Sequence, residues 1–298
     1  MSGMPNSAEL TPAQTTRAMQ PFDRIHASGY FFPEVAERFA EIGVTDAHTR
    51  YFASRVAPMG AVAPEVVVAT FYNFNPELVV RSMAAAWSLA APEEYWSVRL
   101  DGVGAGLRRG WGEELIASAE FAEAAELAEA AARTLDASDA PGRPLFAGHL
   151  RMPWPQEPHL RLWFALTLLR EHRGDGHIAL LVGHGLTGLE AGITYYATGA
   201  APMPKAFILA TRGWSAEQWD AGADSLRERG LLEDGPQEAL TEQGRALRDR
   251  IETLTDHIAE APWRRLGPER SARLVELLGP LRARLYESGA IPGGAPRP

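Results

Sequence analysis

The sequence predicts a mainly α-helical fold built from two related halves. Two stretches, beginning at Gly43 and at Gly185, share the ordered pattern Y-x-A-x-x-x-A-P-M, and each then continues with Ala-Thr and a capped helix. The matched residues are Tyr51, Ala53, Ala57, Pro58 and Met59, and Tyr195, Ala197, Ala201, Pro202 and Met203. An ordered series at a constant offset is typical of an internal repeat. We therefore expect two halves that pack as a pseudodimer within one chain.

The amino-acid composition limits the kinds of site and partner that this protein can have. The 298 residues are 46% hydrophobic, which is enough for a large core. The absence of cysteine excludes disulfides, thiolate nucleophiles and cysteine-ligated metals, so a metal would need His, Asp or Glu ligands. The net charge of -9 opposes nucleic-acid binding. The sequence has no membrane-spanning apolar run and no signal-peptide pattern, and we expect a cytoplasmic protein without a membrane partner.

The second half has a recognisable order of elements. A helix "SAEQWDAGADSLRER" is followed by the turn-rich "GLLEDGPQ" and then by "LTEQGRALRDRIETLTDHI". This order resembles winged-helix regulators of the MarR type, in which a DNA-facing helix precedes a wing and a long exit helix. The resemblance implies duplicated winged-helix (MarR-like) halves that form an intramolecular pseudodimer with short two-stranded wings. Asn75 and Ser215 are the predicted N-caps of the corresponding helices.

The repeat and the composition divide the chain into five segments. These are a flexible N-terminal tail (1–20), a first winged-helix-like half (21–112), a linker helix (113–140), a second winged-helix half (141–262), and C-terminal helices with a tail (263–298).

The helix that would enter DNA in such a fold is acidic. Its charged residues recur every three or four positions, which places them on one helix face. They are Glu217, Asp220, Asp224 and Glu228, opposite an apolar face of Trp219, Ala223 and Leu226. Reading the major groove requires Arg, Lys, Asn or Gln on that face. The pattern argues against DNA as a partner.

Three stretches together resemble one known family. They are "YFASRVAPMGAVAPEVVVATFYNFNPELV", "GRPLFAGHLRMPWPQEPHLRLWFALTLLREHRGDGHIALL" and "RGWSAEQWDAGADSLRERGLL". They resemble an actinobacterial helix-turn-helix family of largely unknown function, sometimes encoded beside natural-product genes, and the phrase "LLREHRGDGH" is specific to that family. The likeness covers about residues 20 to 292 and implies a role in secondary metabolism, such as antibiotic biosynthesis. The chain departs from the expected pattern at Phe164, where related sequences are expected to have histidine.

The positions that define the resemblance include most of the candidate site residues. They are His26, Tyr51, Arg55, Asn73, Trp154, Pro158, His159, Trp163, Glu171, His172, Arg173, Asp175 and His177.

The segment "REHRGDGH" has two interpretations. As a structural corner, Gly174 would end one helix in a left-handed conformation, Asp175 would cap the next helix, and Glu171 would pair with Arg173. As a reaction site, two histidines and a carboxylate could bind a metal ion or perform acid–base chemistry. The candidate metal ligands are His172, Asp175 and His177, and the candidate catalytic residues are His172, His177, Asp175, Glu171 and His159. No cofactor is predicted, and a divalent metal or a haem stays open.

Other residues suggest a ligand pocket. The offset between the halves places Tyr30 where His172 falls (172 − 30 = 142), with His26 one helical turn earlier. Arg55 could anchor a carboxylate or a phenolate, or pair with Glu65 or Asp46. The candidate ligand-binding residues are His26, Tyr30, Tyr51, Arg55, Tyr72, Asn73 and Trp163. A further segment, "GVGAGLRRG" from Gly102, lacks the strand context of a dinucleotide-binding loop and is predicted to be an ordinary loop.

These observations favour one function and leave two alternatives. The favoured one is a winged-helix-derived protein that no longer reads DNA and binds a small aromatic or polycyclic metabolite in the cleft between its halves. An acid–base or metal-assisted step of secondary metabolism would extend that role to catalysis. The alternatives are a ligand-responsive DNA-binding transcription regulator and a resistance protein that sequesters a metabolite. The chain could act as a monomer or a homodimer.

Overall fold

The computed structural model describes residues 10–199 and 204–291, and these are mainly helical, as the sequence predicts. The first helices are α1 Pro12–Met19, α2 Asp23–Ser28, α3 Pro33–Glu41, α4 Ala47–Val56, α5 Pro64–Thr70 and α6 Pro76–Met83. They are followed by α7 Ala86–Leu89, α8 Pro92–Trp111, α9 Glu113–Ile116, α10 Ala119–Ala132, α11 Pro144–Leu150 and α12 Pro158–Gly183. The last are α13 Gly188–Tyr196, α14 Lys205–Arg212, α15 Ala216–Glu228, α16 Glu242–Ile258, α17 Ala261–Leu266 and α18 Pro268–Glu287. Short 3-10 turns cover Gln20–Phe22, Ala57–Met59 and Ala137–Asp139.

The described residues form two compact units. Unit 1 contains residues 10–61, 85–175 and 256–291, and unit 2 contains Val62–Ala84 and the described part of Gly176–Thr255. Unit 2 therefore takes α5 and α6 from the first sequence half. The matched sequence stretches fall on α4, α5 and α6 and on α13, α14 and α15, and the duplication stays a prediction. Three of the matched residues, Ala201, Pro202 and Met203, lie outside the described residues.

Two segments differ from the simple division of the sequence. Helix α1 falls inside the predicted tail, of which residues 1–9 lie outside the described part of the chain. A capping box between Thr11 and Gln14 starts α1, and the Arg17 guanidinium binds the Asp256 carboxylate at 2.8 Å. The predicted linker helix is two helices, α9 and α10, with Ser118 as the N-cap of α10.

Helix α8 organises unit 1, and it corrects the predicted loop at Gly102. The segment "GVGAGLRRG" lies wholly within α8. A Cβ on Gly102 would lie 2.7 Å from the Val35 Cα of α3, and a Cβ on Gly106 would lie 2.2 Å from the Phe32 ring. The absence of a side chain therefore lets neighbouring backbone and rings approach α8 closely. This packing outweighs the low helix propensity of glycine, which costs only about 1 kcal/mol per residue.

Unit 2 contains a helix-turn-helix. Helix α14 ends at Gly213 in a left-handed conformation, and the Ser215 hydroxyl accepts the Gln218 backbone N–H to start α15. Asn75 caps α6 by accepting the Glu77 N–H at 2.9 Å, so both predicted caps are confirmed. The Asn75 side chain also donates to the Gly213 carbonyl at 2.9 Å, which joins the start of α6 to the α14–α15 turn.

The faces of α15 agree with the sequence pattern. The predicted apolar residues are buried, and the predicted acidic residues are exposed. Buried α15 residues pack in a core that also includes Leu186, Ile193, Leu232 and Ile251.

The predicted wing is present only as a short hairpin. Leu232 and Leu240 form one antiparallel bridge, and the Glu233 N–H donates to the Ala239 carbonyl at 2.9 Å. Across residues 10–199 and 204–291 no β-strand forms, so the structure does not show the predicted two-stranded wings. The intervening "EDGPQ" contains Gly235 with a positive φ and a proline that lacks an N–H donor, and neither extends a ladder of hydrogen bonds.

The "REHRGDGH" segment is not a corner. Helix α12 runs without interruption from Pro158 to Gly183, and neither Gly174 nor Gly176 has a positive φ. Asp175 therefore caps no new helix, and the prediction of a helix break is wrong. Two glycines weaken a helix by about 1 kcal/mol each. Burial of the flanking Glu171 and His172 side chains in tertiary contacts outweighs that cost.

No single helix among the described residues is long and apolar enough to cross a membrane, although Ala47–Met59 and Pro64–Thr70 reach that length and apolarity together.

Candidate functional site

A buried polar cluster lies within unit 1, and we call it the Arg99 cluster. Five helices supply it: α2 with the residues after it, α4, α8, α11 and α12. Spacings of three or four residues place its members on single helix faces. Its members are His26, Tyr30, Tyr51, Arg55, Trp96, Arg99, His149, Trp163, Thr167, Arg170 and Glu171. Five predicted ligand-binding residues, His26, Tyr30, Tyr51, Arg55 and Trp163, are therefore brought together with the predicted catalytic residue Glu171.

A buried ion pair forms one side of the cluster. The Arg55 Nη2 donates to the Glu171 Oε1 at 2.7 Å, and the two side chains are 6% and 3% exposed. Arg170 donates to the same oxygen at 3.0 Å. Burial alone would raise the pKa of Glu171, but Arg55 and Arg170 lower that pKa to about 2. Glu171 is thus a fixed carboxylate that neutralises Arg55, and it does not pair with Arg173.

Arg55 has a different partner from those considered in the sequence. Instead of Glu65 or Asp46, it binds Glu171, which is 116 residues away along the chain. Its Nη1 donates to the Tyr51 hydroxyl at 2.7 Å. Asp46 instead caps α4 by accepting the Thr49 N–H at 2.7 Å.

A hydrogen-bonded chain connects Tyr30, His26 and Thr167. The Thr167 hydroxyl donates to the Trp163 carbonyl at 2.8 Å, so its oxygen is the acceptor for His26 Nδ1 at 2.8 Å. This assigns the proton of His26 to Nδ1 and makes Nε2 the acceptor for the Tyr30 hydroxyl at 2.7 Å. His26 also stacks on Trp163, with ring centroids 5.1 Å apart.

Burial and the neighbouring arginines keep the hydrogen-bonded side chains of His26 and Tyr30 uncharged. Burial lowers the pKa of His26 well below its usual range, and Arg170 and Arg99 lower it further. Burial raises the pKa of the Tyr30 hydroxyl. At neutral pH we therefore expect an uncharged imidazole and an uncharged phenol.

Arg99 is the unusual member of the cluster. Its side chain is 3% exposed, and among the described residues it forms no ion pair. Nη1 donates to the Ser54 carbonyl at 3.1 Å, whereas the buried Nη2 has no hydrogen-bond partner in the described part of the chain. The guanidinium carbon lies 5.0 Å from the Trp163 ring centroid and 5.9 Å from that of Tyr30. Burial lowers the pKa of Arg99 to about 10, so it is still charged at neutral pH.

Two further buried polar atoms near Arg99 have no hydrogen-bond partner among the described residues. They are Trp96 Nε1 and His149 Nε2. The two rings lie 5.6 Å apart, and the Arg99 guanidinium lies 6.0 Å from the Trp96 ring. His149 Nδ1 bonds the Leu145 carbonyl at 2.7 Å, so Nδ1 carries the proton and Nε2 is an acceptor. Burial lowers the pKa of His149 to about 4, so the imidazole is neutral.

The other predicted catalytic residues lie away from this cluster or have structural contacts. His172 lies edge-on to Phe146, with centroids 5.1 Å apart, and burial lowers its pKa to about 4. Asp175 accepts the Phe146 N–H at 3.0 Å and so satisfies the first turn of α11. His177, in unit 2, bonds the Thr255 hydroxyl at 2.9 Å through Nδ1.

The predicted metal ligands do not assemble. No group of three or more His, Asp or Glu side chains in residues 10–199 and 204–291 could hold a metal ion. His172, Asp175 and His177 therefore do not form such a group. The reason is the continuous helix: Asp175 and His177 are directed to different partners, Phe146 and Thr255.

His159 lies at a separate surface groove of about 430 Å³, which Arg38, Asp101 and Arg108 also line. Its Nδ1 has no hydrogen-bond partner among the described residues, and burial lowers its pKa to about 4. Both arginines form ion pairs at the surface, with Glu41 and Glu113.

The remaining predicted ligand-binding residues belong to unit 2. The Tyr72 hydroxyl donates to the Leu186 carbonyl. Asn73 is exposed, and its carbonyl accepts the Trp214 Nε1–H at 3.1 Å. Both residues hold the helices of unit 2 together.

We expect Asp175→Asn to change how stability depends on pH. Burial raises the pKa of Asp175 to about 7 from an ordinary 3.8. The folded protein then keeps a proton there that the unfolded chain has lost, so the wild type loses stability as the pH rises from about 4 to about 7. Asparagine never ionises and retains an oxygen for the Phe146 N–H. The Tm of the variant should therefore exceed that of the wild type by an increasing margin up to about pH 7.

Thermal denaturation between about pH 5 and about pH 8 measures this margin. The control is Asp101→Asn, which makes the same side-chain change at an exposed position of α8. A margin for Asp175→Asn that does not change with pH would contradict the buried carboxyl.

Sequence reasoning missed Arg99, Trp96 and His149. Arg99 follows Trp96 by three residues on a helix rich in buried small and aromatic residues. A charged residue on an otherwise apolar helix face was the available signal. The signal was hidden because the nearby glycines predicted a loop.

The helical architecture and the helix-turn-helix of unit 2 are those of a helix-turn-helix protein. The profile of a helix-turn-helix family matches residues 15–292. The chain therefore belongs to this helix-turn-helix family. Neither a curated protein nor a solved structure matches the chain.

Proposed function

We propose that this protein is a winged-helix-derived pseudodimer that binds a small aromatic metabolite at the Arg99 cluster of unit 1. The carrying observation is the group of three buried polar atoms without hydrogen-bond partners: Arg99 Nη2, Trp96 Nε1 and His149 Nε2. Leaving a buried donor or acceptor unpaired costs about 1 to 3 kcal/mol each. A ligand that bonds these atoms recovers that cost, which supports a binding role for the cluster.

The surroundings of these atoms favour a ring-containing ligand. The cluster is rich in aromatic rings: Trp96 and Trp163 are buried, and Tyr30 and Tyr51 are only half-buried. Aromatic rings pack well edge-on or offset against such side chains. The two donors and one acceptor would fix the orientation of the ring, as a few polar groups do in most small-molecule sites.

Binding is better supported than catalysis. To act as a base, Tyr30 would first have to give its hydroxyl proton to His26 Nε2. This transfer would create an imidazolium beside Arg99 and Arg170. Those cations disfavour that product. Glu171 is held as a carboxylate by Arg55, which makes it a poor proton donor at neutral pH. Acid–base turnover would therefore need groups brought by the substrate.

A DNA-binding regulator is the alternative function, because the chain belongs to a helix-turn-helix family. The acidic, exposed face of α15 opposes phosphate binding. The two roles are separated by measuring fluorescence anisotropy of labelled duplex DNA at low salt. Tight, salt-dependent binding would favour the regulator.

The proposal is tested by screening two- and three-ring aromatic compounds for a rise in Tm. We expect at least one compound to stabilise both the wild type and the control variant Arg108→Met. Arg108 lies on α8, the same helix as Trp96, and pairs at the protein surface with Glu113. The same compound should stabilise Trp96→Phe much less, because this variant keeps a ring and removes only the buried N–H. Equal stabilisation of wild type and Trp96→Phe, or of neither, would overturn the proposal.

The purified protein also provides a direct sample of its ligand. Denaturation followed by mass spectrometry of the extract would identify an aromatic compound that copurifies. Incubation of that compound with catalytic amounts of protein then separates catalysis from sequestration, since only an enzyme converts more than one equivalent.

A further inference from the structure

We infer that the ligand of the Arg99 cluster is a carboxylic acid whose single negative charge pairs with Arg99. This inference rests on the proposed binding function and adds the chemical class of the ligand. Buried charges in proteins are normally paired or hydrogen-bonded, because transfer of an unpaired ion from water costs several kcal/mol. Arg99 has one hydrogen bond to a carbonyl and three aromatic neighbours, but no carboxylate among the described residues.

The charges around Arg99 indicate one missing anion. Glu171 already faces both Arg55 and Arg170, and Arg170 is partly solvated with 25% of its side chain exposed. The histidines of the cluster are neutral because burial lowers their pKa values. Tyr30 is not the missing anion, because burial raises its pKa. Glu171 acts on Arg99 only through space, because its carboxylate bonds Arg55 and Arg170, so Arg99 is the arginine of the cluster that forms no ion pair among the described residues.

The donors match a carboxylate in particular. Arg99 Nη2 offers N–H groups in a plane, and Trp96 Nε1 adds one more donor nearby. A planar carboxylate can accept such bonds with both oxygens. An inorganic phosphate dianion would bring more charge than the one unmatched arginine offers.

The apo stability distinguishes a binding arginine from a structural one. A buried charge without a counter-ion carries a desolvation cost of several kcal/mol, and an apolar residue of similar length does not carry that cost. We therefore expect ligand-free Arg99→Met to keep or exceed the wild-type Tm. If Arg99 instead serves the fold through its aromatic neighbours and the Ser54 carbonyl, the same variant should lose stability.

The decisive experiment compares an acid with its amide. We would measure the binding of 2-naphthoate, benzoate, 2-naphthamide and inorganic phosphate by calorimetry and by Tm, against sodium chloride at the same ionic strength. We expect the naphthoate to bind the wild type at least about tenfold tighter than the amide, which corresponds to about 1.4 kcal/mol. Arg99→Met should lose this preference, and Arg108→Met should keep it. The Trp96→Phe variant should keep part of it, because Arg99 is still present.

Each result has a distinct meaning. Equal binding of acid and amide to the wild type overturns the inference that the ligand is a carboxylic acid. The proposal that the ligand is aromatic would still stand. Stronger stabilisation by phosphate than by either carboxylate overturns the choice of a carboxylate. Failure of both acids to stabilise the wild type beyond sodium chloride overturns the inference. If no aromatic compound of either kind binds, the proposed function fails as well.

Discussion

Replacing Arg55 with methionine should lower the free energy of unfolding by about 3 to 5 kcal/mol, because it leaves the buried Glu171 carboxylate without its main partner. Arg170 still contacts Glu171 but is partly exposed, so its compensation is incomplete. Denaturation by urea at neutral pH measures the loss. Burial makes this pair far more sensitive than a surface pair, for which about 0 to 1 kcal/mol is usual.

Two variants control this result. Arg38→Met breaks the exposed pair with Glu41, whose side chains are 52% and 60% exposed, and should cost little. The double variant Arg55→Met with Glu171→Met removes both charges and should recover much of the loss. A loss for Arg55→Met no larger than that for Arg38→Met would show that Glu171 is not a buried, ionised partner.

Replacing Gly106 with alanine should cost about 3 kcal/mol or more, even though alanine is the better helix former. The new Cβ would lie 2.2 Å from Cδ2 and 2.4 Å from Cγ of Phe32, so the ring or the α8 backbone must move. Phe32 is itself fully buried and has little space into which to move. Thermal denaturation measures the effect.

Gly174→Ala is the matched control, because Gly174 is also a helical glycine. A Cβ there would lie 3.9 Å from Glu171 Oε2, which is an ordinary contact, and we expect a gain of up to about 1 kcal/mol. A large loss for this control would mean that α12 needs a glycine at this position. In a Phe32→Ala background, Gly106→Ala should cost much less, and additive losses would argue against the contact.

Local patterns explain what the sequence predicted correctly. The caps Asn75 and Ser215 act on backbone groups two or three residues away, so their role is legible from the sequence. The acidic face of α15 follows from helical periodicity alone. The same local reasoning failed at Gly102 and Gly174, because glycine weakens a helix by an amount that tertiary packing easily exceeds.

The candidate site was predicted only in part. His26, Tyr30, Tyr51, Arg55 and Trp163 were chosen from the duplication and from residue type, and the structure brings them together. The members of the predicted metal set do not come together among the described residues, because they lie on one uninterrupted helix and have other partners. No local pattern shows whether a polar atom will be buried without a partner, so Arg99, Trp96 and His149 were not found.

The sequence by itself determined the helical class, the helix caps, the acidic face of α15 and the exclusion of cysteine chemistry, since each depends on composition or on residues within one or two helical turns. The tertiary structure decided that Glu171 neutralises Arg55 and that Arg99 forms no ion pair within residues 10–199 and 204–291. Those outcomes depend on which distant side chains are buried together. Charge compensation in a protein interior is a property of the whole fold, and the sequence does not reveal it locally.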